Sequence, residues 1–327
     1  MAHSTVPAIT KAPETERHRE PVESRSARTR PVAVSLLVSL RPAQWTKNLI
    51  VFTALLFGQR GTTPAFLDPQ AIVRAIAAFG IFCVLSGIVY LINDVADREA
   101  DRLHPRKRYR PIASGAVPPG LALATAAVLT VAALAASWML SPMFALVAAA
   151  YVSLLALYSG PLKHVVIIDV LTIAVGFVLR AIAGAVAIDV LISHWLLILT
   201  ILLALFLALS KRRHELVLLA DGATSHRPIL EEYSPYLLDQ MIAVVTASTL
   251  VTYVISTVSD ETVQKYHTDY LGLTLVFPLY GIFRYLYLVH QKEGGGSPAD
   301  MLVNDRPLLA CVALWAMAVT VIIYGAR

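Results

Sequence analysis

Charge is scarce in this chain. Asp, Glu, Lys and Arg together make up 15% of its 327 residues, against about 25% in an ordinary soluble domain. That shortage excludes a typical soluble globular protein, and it also excludes an intrinsically disordered one. Cysteine is nearly absent. Cys83 and Cys311 lie far apart inside apolar runs, so they form neither a disulfide framework nor a metal site and read as small buried hydrophobes. No clear internal repeat appears, and the acidic cluster lies at the end of an apolar run rather than in its middle, which weighs against a transporter. A His–carboxylate pair and a Ser or Cys nucleophile constellation are missing as well. No nucleic-acid partner is expected. What is abundant is apolar surface: 57% of residues are hydrophobic and the mean hydropathy is +0.66. That surplus must face a lipid bilayer.

Residues 1–33 are polar and Pro-rich, with no apolar core and no small-residue cleavage site. They read as a disordered cytoplasmic tail rather than a signal peptide. Lipid-headgroup contact through Arg25, Arg28 and Arg30 is the alternative. Residues 34–327 read as one transmembrane catalytic domain. Its apolar runs of spanning length number nine: about 35–58, 70–92, 119–139, 142–158, 165–187, 194–210, 237–258, 270–290 and 307–324. A membrane-crossing helix needs about 20 mostly apolar residues. Runs this long, without period-two alternation, exclude a β-barrel. The expected fold is therefore all-α, an integral membrane bundle of about nine transmembrane helices. Ser141 and Pro142 leave a short turn, so the third and fourth helices should be antiparallel neighbours. Lys and Arg concentrate in the tail and in the loops at about 93–118, 159–164, 211–236 and 291–306, while the opposite side holds Arg60, Lys265 and Arg327. The positive-inside rule puts the richer side, with the N-terminus, in the cytoplasm.

The second run ends in a cluster of Asn93, Asp94, Asp97 and Asp101. On a helix, these spacings bring the four to one face. Carboxylates crowded on one face repel unless a cation is present. Mg²⁺ suits them, because it takes oxygen ligands and is commonly shared between one or two carboxylates and substrate phosphates. A solvated helix end is the alternative. A basic run follows at once, including Arg106, Lys107 and Arg110. Metal and guanidinium side by side suit a phosphorylated substrate, the guanidinium taking phosphate oxygens in bidentate fashion. A plain positive-inside loop is the competing reading.

The pattern Asn93-Asp94-x-x-Asp97-x-x-x-Asp101, with Arg106 and then Arg110-Pro111, resembles the first signature of the UbiA-type intramembrane prenyltransferases. The resemblance covers nearly everything after the tail. It implies a UbiA-like bundle around a cavity open to the cytoplasm and laterally to lipid. It also implies Mg²⁺ on Asp94, Asp97 and Asp101, which become the expected metal ligands and catalytic residues, with a diphosphate bound there beside Asn93.

The chain departs from the usual family in one place. After the sixth run, where a second aspartate motif is typical, it has Ser210-Lys211-Arg212-Arg213-His214-Glu215. Fixed positive charges disfavour a second Mg²⁺ and favour an anion site, with a positive-inside anchor as the alternative. This looks like the branch of decaprenyl-phosphate phosphoribosyltransferases, as do Arg41-Pro42-x-Gln44-Trp45-x-Lys47-Asn48, Tyr158-Ser-Gly-Pro-Leu-Lys163-His164 and Gly176-Phe-Val-Leu-Arg180-Ala-Ile-Ala-Gly184. In that branch the diphosphate belongs to phosphoribosyl pyrophosphate (PRPP), and a polyprenyl phosphate is the acceptor. The resemblance further implies a bacterial inner membrane and a cell-envelope pathway, and it leaves open a homo-oligomer, with a trimer as a guess. Candidate substrate ligands are Lys47, Tyr158, Lys163, Asp169, Lys211 and Arg212. For Lys47, snorkelling is the alternative. Arg180, about 16 Å beyond Asp169 along the helix axis, stands between substrate binding and helix packing. Arg74 and Arg284 read as snorkelling or structurally paired. An ordinary prenyltransferase using an isoprenyl diphosphate is the second reading, and a transporter of a phosphorylated solute the third.

Overall fold

The first apolar run does not form one helix. In the computed structural model, which describes residues 30–60, 63–105, 107–220, 228–291, 301 and 304–325, it divides into three pieces. These are α1 (Val32–Ser39), a 3-10 stretch (Pro42–Phe52) and α2 (Thr53–Phe57). Pro42 is the cause of the first break. It lacks an N–H and drives the residue before it out of the α region, and Arg41 takes φ 52°, ψ 64°. The broken segment still runs the length of the bundle. Arg41 meets Asp94 at one end; at the other, the carbonyls of Leu56 and Phe57 accept from Tyr324 and Tyr266 at 2.8 Å. The tail up to residue 29, with Arg25 and Arg28, lies outside the described residues.

Eight of the nine expected spans are continuous helices: α3 (Pro69–Ala96), α5 (Pro119–Leu140), α6 (Pro142–Ser159), α7 (Ile168–Ala187), α8 (His194–Ala220), α9 (Pro235–Val258), α11 (Val276–Gln291, extended at its start by a 3-10 turn, Tyr270–Leu275) and α12 (Arg306–Tyr324). Two short helices, α4 (Arg98–Leu103) and α10 (Asp260–Tyr266), lie between them. A two-stranded hairpin, β1 (Gln59–Arg60) with β2 (Thr63–Pro64), follows α2. Helix starts follow capping rules. Asp68, Ser141, Ser234 and Asp305 each accept a backbone N–H of the first turn, and a proline follows at the start of each helix. Ser141 is the whole connection between α5 and α6, as its short turn suggested.

α3 and α7 are the central helices. In each, 56% of the apolar window is buried, against a third or less in the other spans. One core cluster joins α3, α5, α6, the broken segment and the far end of α7 through Phe82, Leu85, Phe144, Tyr151 and Val51. A second joins the start of α7 to α8, α9 and α11 through Val170, Phe206, Leu238, Ile282 and Tyr285. The outer faces carry exposed apolar residues such as Val73, Val128, Val131, Leu146, Val244 and Val321. That surface needs hydrocarbon rather than water.

Close helix approach depends on Gly184. A Cβ there would stand 2.1 Å from the Val51 carbonyl oxygen, which is main chain and has no rotamer to escape into. Small residues at such crossings let backbones meet in membrane proteins. Gly184→Ala is expected to cost about 1–3 kcal/mol, the usual range for overpacking, and to lower the thermal midpoint in detergent. An unchanged midpoint would contradict this packing.

Arg180 belongs to this interior. Its Nε donates to Asn48 Oδ1 at 2.8 Å, Nη1 to the Gly176 carbonyl at 2.9 Å and Nη2 to Tyr151 Oη at 2.6 Å. The guanidinium also lies 4.7 Å from the Tyr151 ring centre and 5.0 Å from that of Phe177. Asn48 in turn donates to Ser86 at 3.1 Å. One charged side chain thus ties the broken segment, α3, α6 and α7 together. Arg74 donates to the Leu140 carbonyl at the end of α5, and Arg284 pairs with Asp305 at 2.8 Å. Both have the structural partners expected of them.

Candidate active site

The polar cluster of the second run gathers at one end of the bundle. α3 stops at Ala96, yet hydrogen bonds from Asp97 N to Asn93 O and from Asp101 N to Asp97 O, both 2.8 Å, carry the helical path into α4. Asp94 and Asp101 therefore share one cation. Arg110 Nη1 lies 3.1 Å from Asp94 Oδ1 and 2.5 Å from Asp101 Oδ2. Both carboxylates are buried, Asp94 with 2% of its surface exposed. Asp94 also pairs with Arg41, whose guanidinium lies 4.6 Å from the Tyr90 ring centre. Asp97 is more open. It accepts from Lys163 Nζ at 2.5 Å and from Asn93 Nδ2 at 3.0 Å. Three carboxylates thus meet three cations. Lys163 reaches them because the Gly160-Pro161 turn and a 3-10 turn (Leu162–His164) carry it back from α6.

A second polar group stands at the same end, around Arg212 near the close of α8. Arg212 Nε donates to Asp169 Oδ2 at 2.8 Å, Nη1 to Glu215 at 2.7 Å and Nη2 to Tyr158 Oη at 3.3 Å. Asp169 is fully buried, and its other oxygen accepts from Tyr233 Oη at 2.9 Å. Lys211 is on the outside of this group, its side chain 43% exposed and 3.8 Å from Glu215. Arg213 pairs with Asp239, to which His290 Nε2 also comes within 3.4 Å, tying α8 to α9 and α11. Tyr158 and Lys163 lie on either side of one short turn, so that turn links the two groups.

The structure brings Asn93, Asp94, Asp97, Asp101, Arg110 and Lys163 into one cluster, and Tyr158, Asp169, Lys211 and Arg212 into the other. Lys47 is half-buried on the 3-10 stretch beside Asn48, and Lys107 is half-buried in a turn (Lys107–Tyr109). Arg106 lies outside the described residues. Arg180 is in neither cluster. Arg41 and Glu215 fall within the sequence motifs but are not read as ligands there, and Tyr233 falls in none of them. Arg41 had a signal, the proline that follows it. Tyr233 had none, being 64 residues from its partner Asp169.

The carboxylates of the first cluster are hard oxygen donors, as Mg²⁺ requires. Among the described residues, no three His, Cys, Asp or Glu side chains converge to hold a metal by themselves. Mg²⁺ does not need three, since it usually binds one or two carboxylates and completes its shell with water and phosphate. The donor set fits such an ion.

The family model described as the UbiA prenyltransferase family matches residues 48–304. The chain belongs to the UbiA prenyltransferase family. It is thus a multi-pass integral membrane protein of a transferase family. It is 34% identical over 298 residues to a decaprenyl-phosphate phosphoribosyltransferase of Mycolicibacterium smegmatis, covering 88% of this chain and 92% of that one. A protein of the same name from Corynebacterium glutamicum is 30% identical over 318 residues, covering 94% of this chain and 93% of that one. Among solved structures, a UbiA homolog from Archaeoglobus fulgidus bound to GPP and Mg²⁺ shares the fold. Its TM-score is 0.66 at 18% identity, with 88% of this chain and 99% of that one covered.

Proposed function

We propose that this member of the UbiA family transfers a 5-phosphoribosyl group from PRPP to a polyprenyl phosphate, releasing pyrophosphate. The observation that carries the reading is the charge at the end of α8. Lys211, Arg212 and Arg213 stand where a second aspartate motif would hold an isoprenyl diphosphate through metal; Arg212 and Arg213 are paired with Asp169, Glu215 and Asp239, and Lys211 is the exposed cation of the three. A phosphate monoester needs no metal to be held by Lys and Arg. The names of the relatives that align over most of the chain support the same reading.

In this account the first cluster takes the diphosphate of PRPP. Asp94 and Asp97, with Asp101, would hold Mg²⁺, which supplies charge neutralisation for the leaving pyrophosphate. Arg41, Arg110 and Lys163, held against these carboxylates, are the chain's own donors to diphosphate oxygens, with Lys107 on the turn just before Arg110. Preorganised donors of this kind stabilise charge where it develops. Asn93 orients Asp97. The acceptor phosphate is already anionic near neutral pH, so the transfer needs no strong general base. Lys211 would hold it, with Arg212 fixing Glu215 and Tyr158 around the site. Lys47 lines its approach. Attack at the ribose C1 opposite the departing pyrophosphate gives inversion. The Lys and Arg bias supports a cytoplasmic orientation for this end of the bundle, and the names of the relatives support a bacterial inner membrane.

Pyrophosphate release tests the pairing of substrates. Purified protein in detergent is expected to release pyrophosphate from PRPP when both Mg²⁺ and a polyprenyl phosphate are present, and to stop on addition of EDTA. Release from an isoprenyl diphosphate instead would favour the ordinary prenyltransferase reading.

A further inference from the structure

Directly before α7, Ile167 takes φ 69°. A β-branched residue in positive-φ territory is a strained outlier. Its side chain is 45% exposed, so packing does not hold it there. A phenol does. The Ile167 N–H donates to Tyr233 Oη at 2.8 Å, and Tyr233 passes its own proton toward Asp169 Oδ1 at 2.9 Å. Tyr233 is buried, and its pKa is pushed up to about 12, first by burial and then by the neighbouring Asp169 carboxylate. It therefore stays a protonated donor across the physiological range. Asp169 is gripped from the other side by Arg212. Four residues before Ile167, Lys163 reaches Asp97 at 2.5 Å.

We propose that Tyr233 is a positioning residue for Lys163. By clamping Ile167 in its positive-φ conformation, it sets the path of the 160–167 turn and with it the reach of the Lys163 ammonium into the first cluster. This rests on the reading of Lys163 and Asp97 as part of the transferase site. The loop before α9 is thereby mechanically joined to the phosphate-binding end of α3.

The experiment compares Tyr233→Phe, Ile167→Gly and the double variant in the full chain in detergent. Phenylalanine keeps the ring and removes the hydroxyl. Tyr233→Phe is expected to raise the KM for the diphosphate donor about 10-fold, with a smaller fall in kcat; a misplacement of about 1 Å can cost up to about 10²-fold. Ile167→Gly alone is expected to keep wild-type kinetics, because glycine adopts this conformation without strain. The double variant is expected to recover most of the lost KM, an outcome that a purely stabilising hydroxyl would not produce. An unchanged KM in Tyr233→Phe, or a double variant as impaired as Tyr233→Phe, overturns the proposal. Should Tyr233→Phe not yield folded protein, the double variant alone decides: a wild-type KM supports the clamp and a raised one overturns it. Deuterium uptake across 160–168, read without substrate, is expected to rise in Tyr233→Phe. Unchanged uptake sinks the clamp, whereas a wild-type protein inert toward PRPP sinks only the functional reading.

Discussion

Replacing Asp94 with Asn is expected to lower kcat/KM for phosphoribosyl transfer by about 10²–10³-fold, the range for losing one preorganised electrostatic contact. Asn keeps the size of Asp and removes only its charge. The buried carboxylate is the point where Arg41 and Arg110 converge, so its loss weakens the proposed metal site and releases both guanidiniums from their shared anchor. The fold should survive. Arg110 keeps Asp101 at 2.5 Å, and both arginines are partly exposed and can regain water. Steady-state kinetics across a Mg²⁺ titration make the check. The variant should need more Mg²⁺ as well as turning over slowly. Full activity with an unchanged Mg²⁺ dependence would remove Asp94 from the mechanism.

Arg180→Ala is expected to act on the fold instead. Two buried acceptors, Asn48 Oδ1 and Tyr151 Oη, lose a donor, while the Gly176 carbonyl keeps its helical partner within α7. Each buried polar group left unsatisfied costs about 1–3 kcal/mol, so a loss on the order of 3 kcal/mol or more is expected. Ionisable residues inside a membrane usually face a bundle interior and find partners there, and Arg180 does both. The readout is the thermal midpoint in detergent, with Arg180→Lys falling between wild type and Arg180→Ala. A normal midpoint joined to lost activity would instead make Arg180 a substrate ligand.

The bundle was legible because each span writes its own signal: an apolar run of fixed minimum length. The break in the first span was also written, in Arg41-Pro42, but the run's hydropathy hid it. The first cluster could be seen as a spacing, since Asn93, Asp94, Asp97 and Asp101 follow the helical period and carboxylates so placed demand cations. Pairing across the fold left no such trace. Arg180 finds Asn48 132 positions away and Asp169 finds Tyr233 64 positions away, and no local period encodes either meeting. Asp169 illustrates the consequence. By type and depth it reads as a ligand, and no signal in the sequence marks that its two oxygens meet Arg212 and Tyr233. Sequence periodicity finds the groups that act together along one helix. Groups joined between helices become visible only when the helices are packed.

The most direct test of the central claim follows the ribose. Protein in detergent would be given PRPP labelled in the ribose, Mg²⁺ and a long-chain polyprenyl phosphate, and the label counted in the organic phase. The account predicts label in the lipid fraction, absent with EDTA and lost in Asp97→Ala. No label in lipid, alongside turnover of an isoprenyl diphosphate, would contradict it and make Lys211, Arg212 and Arg213 a membrane anchor.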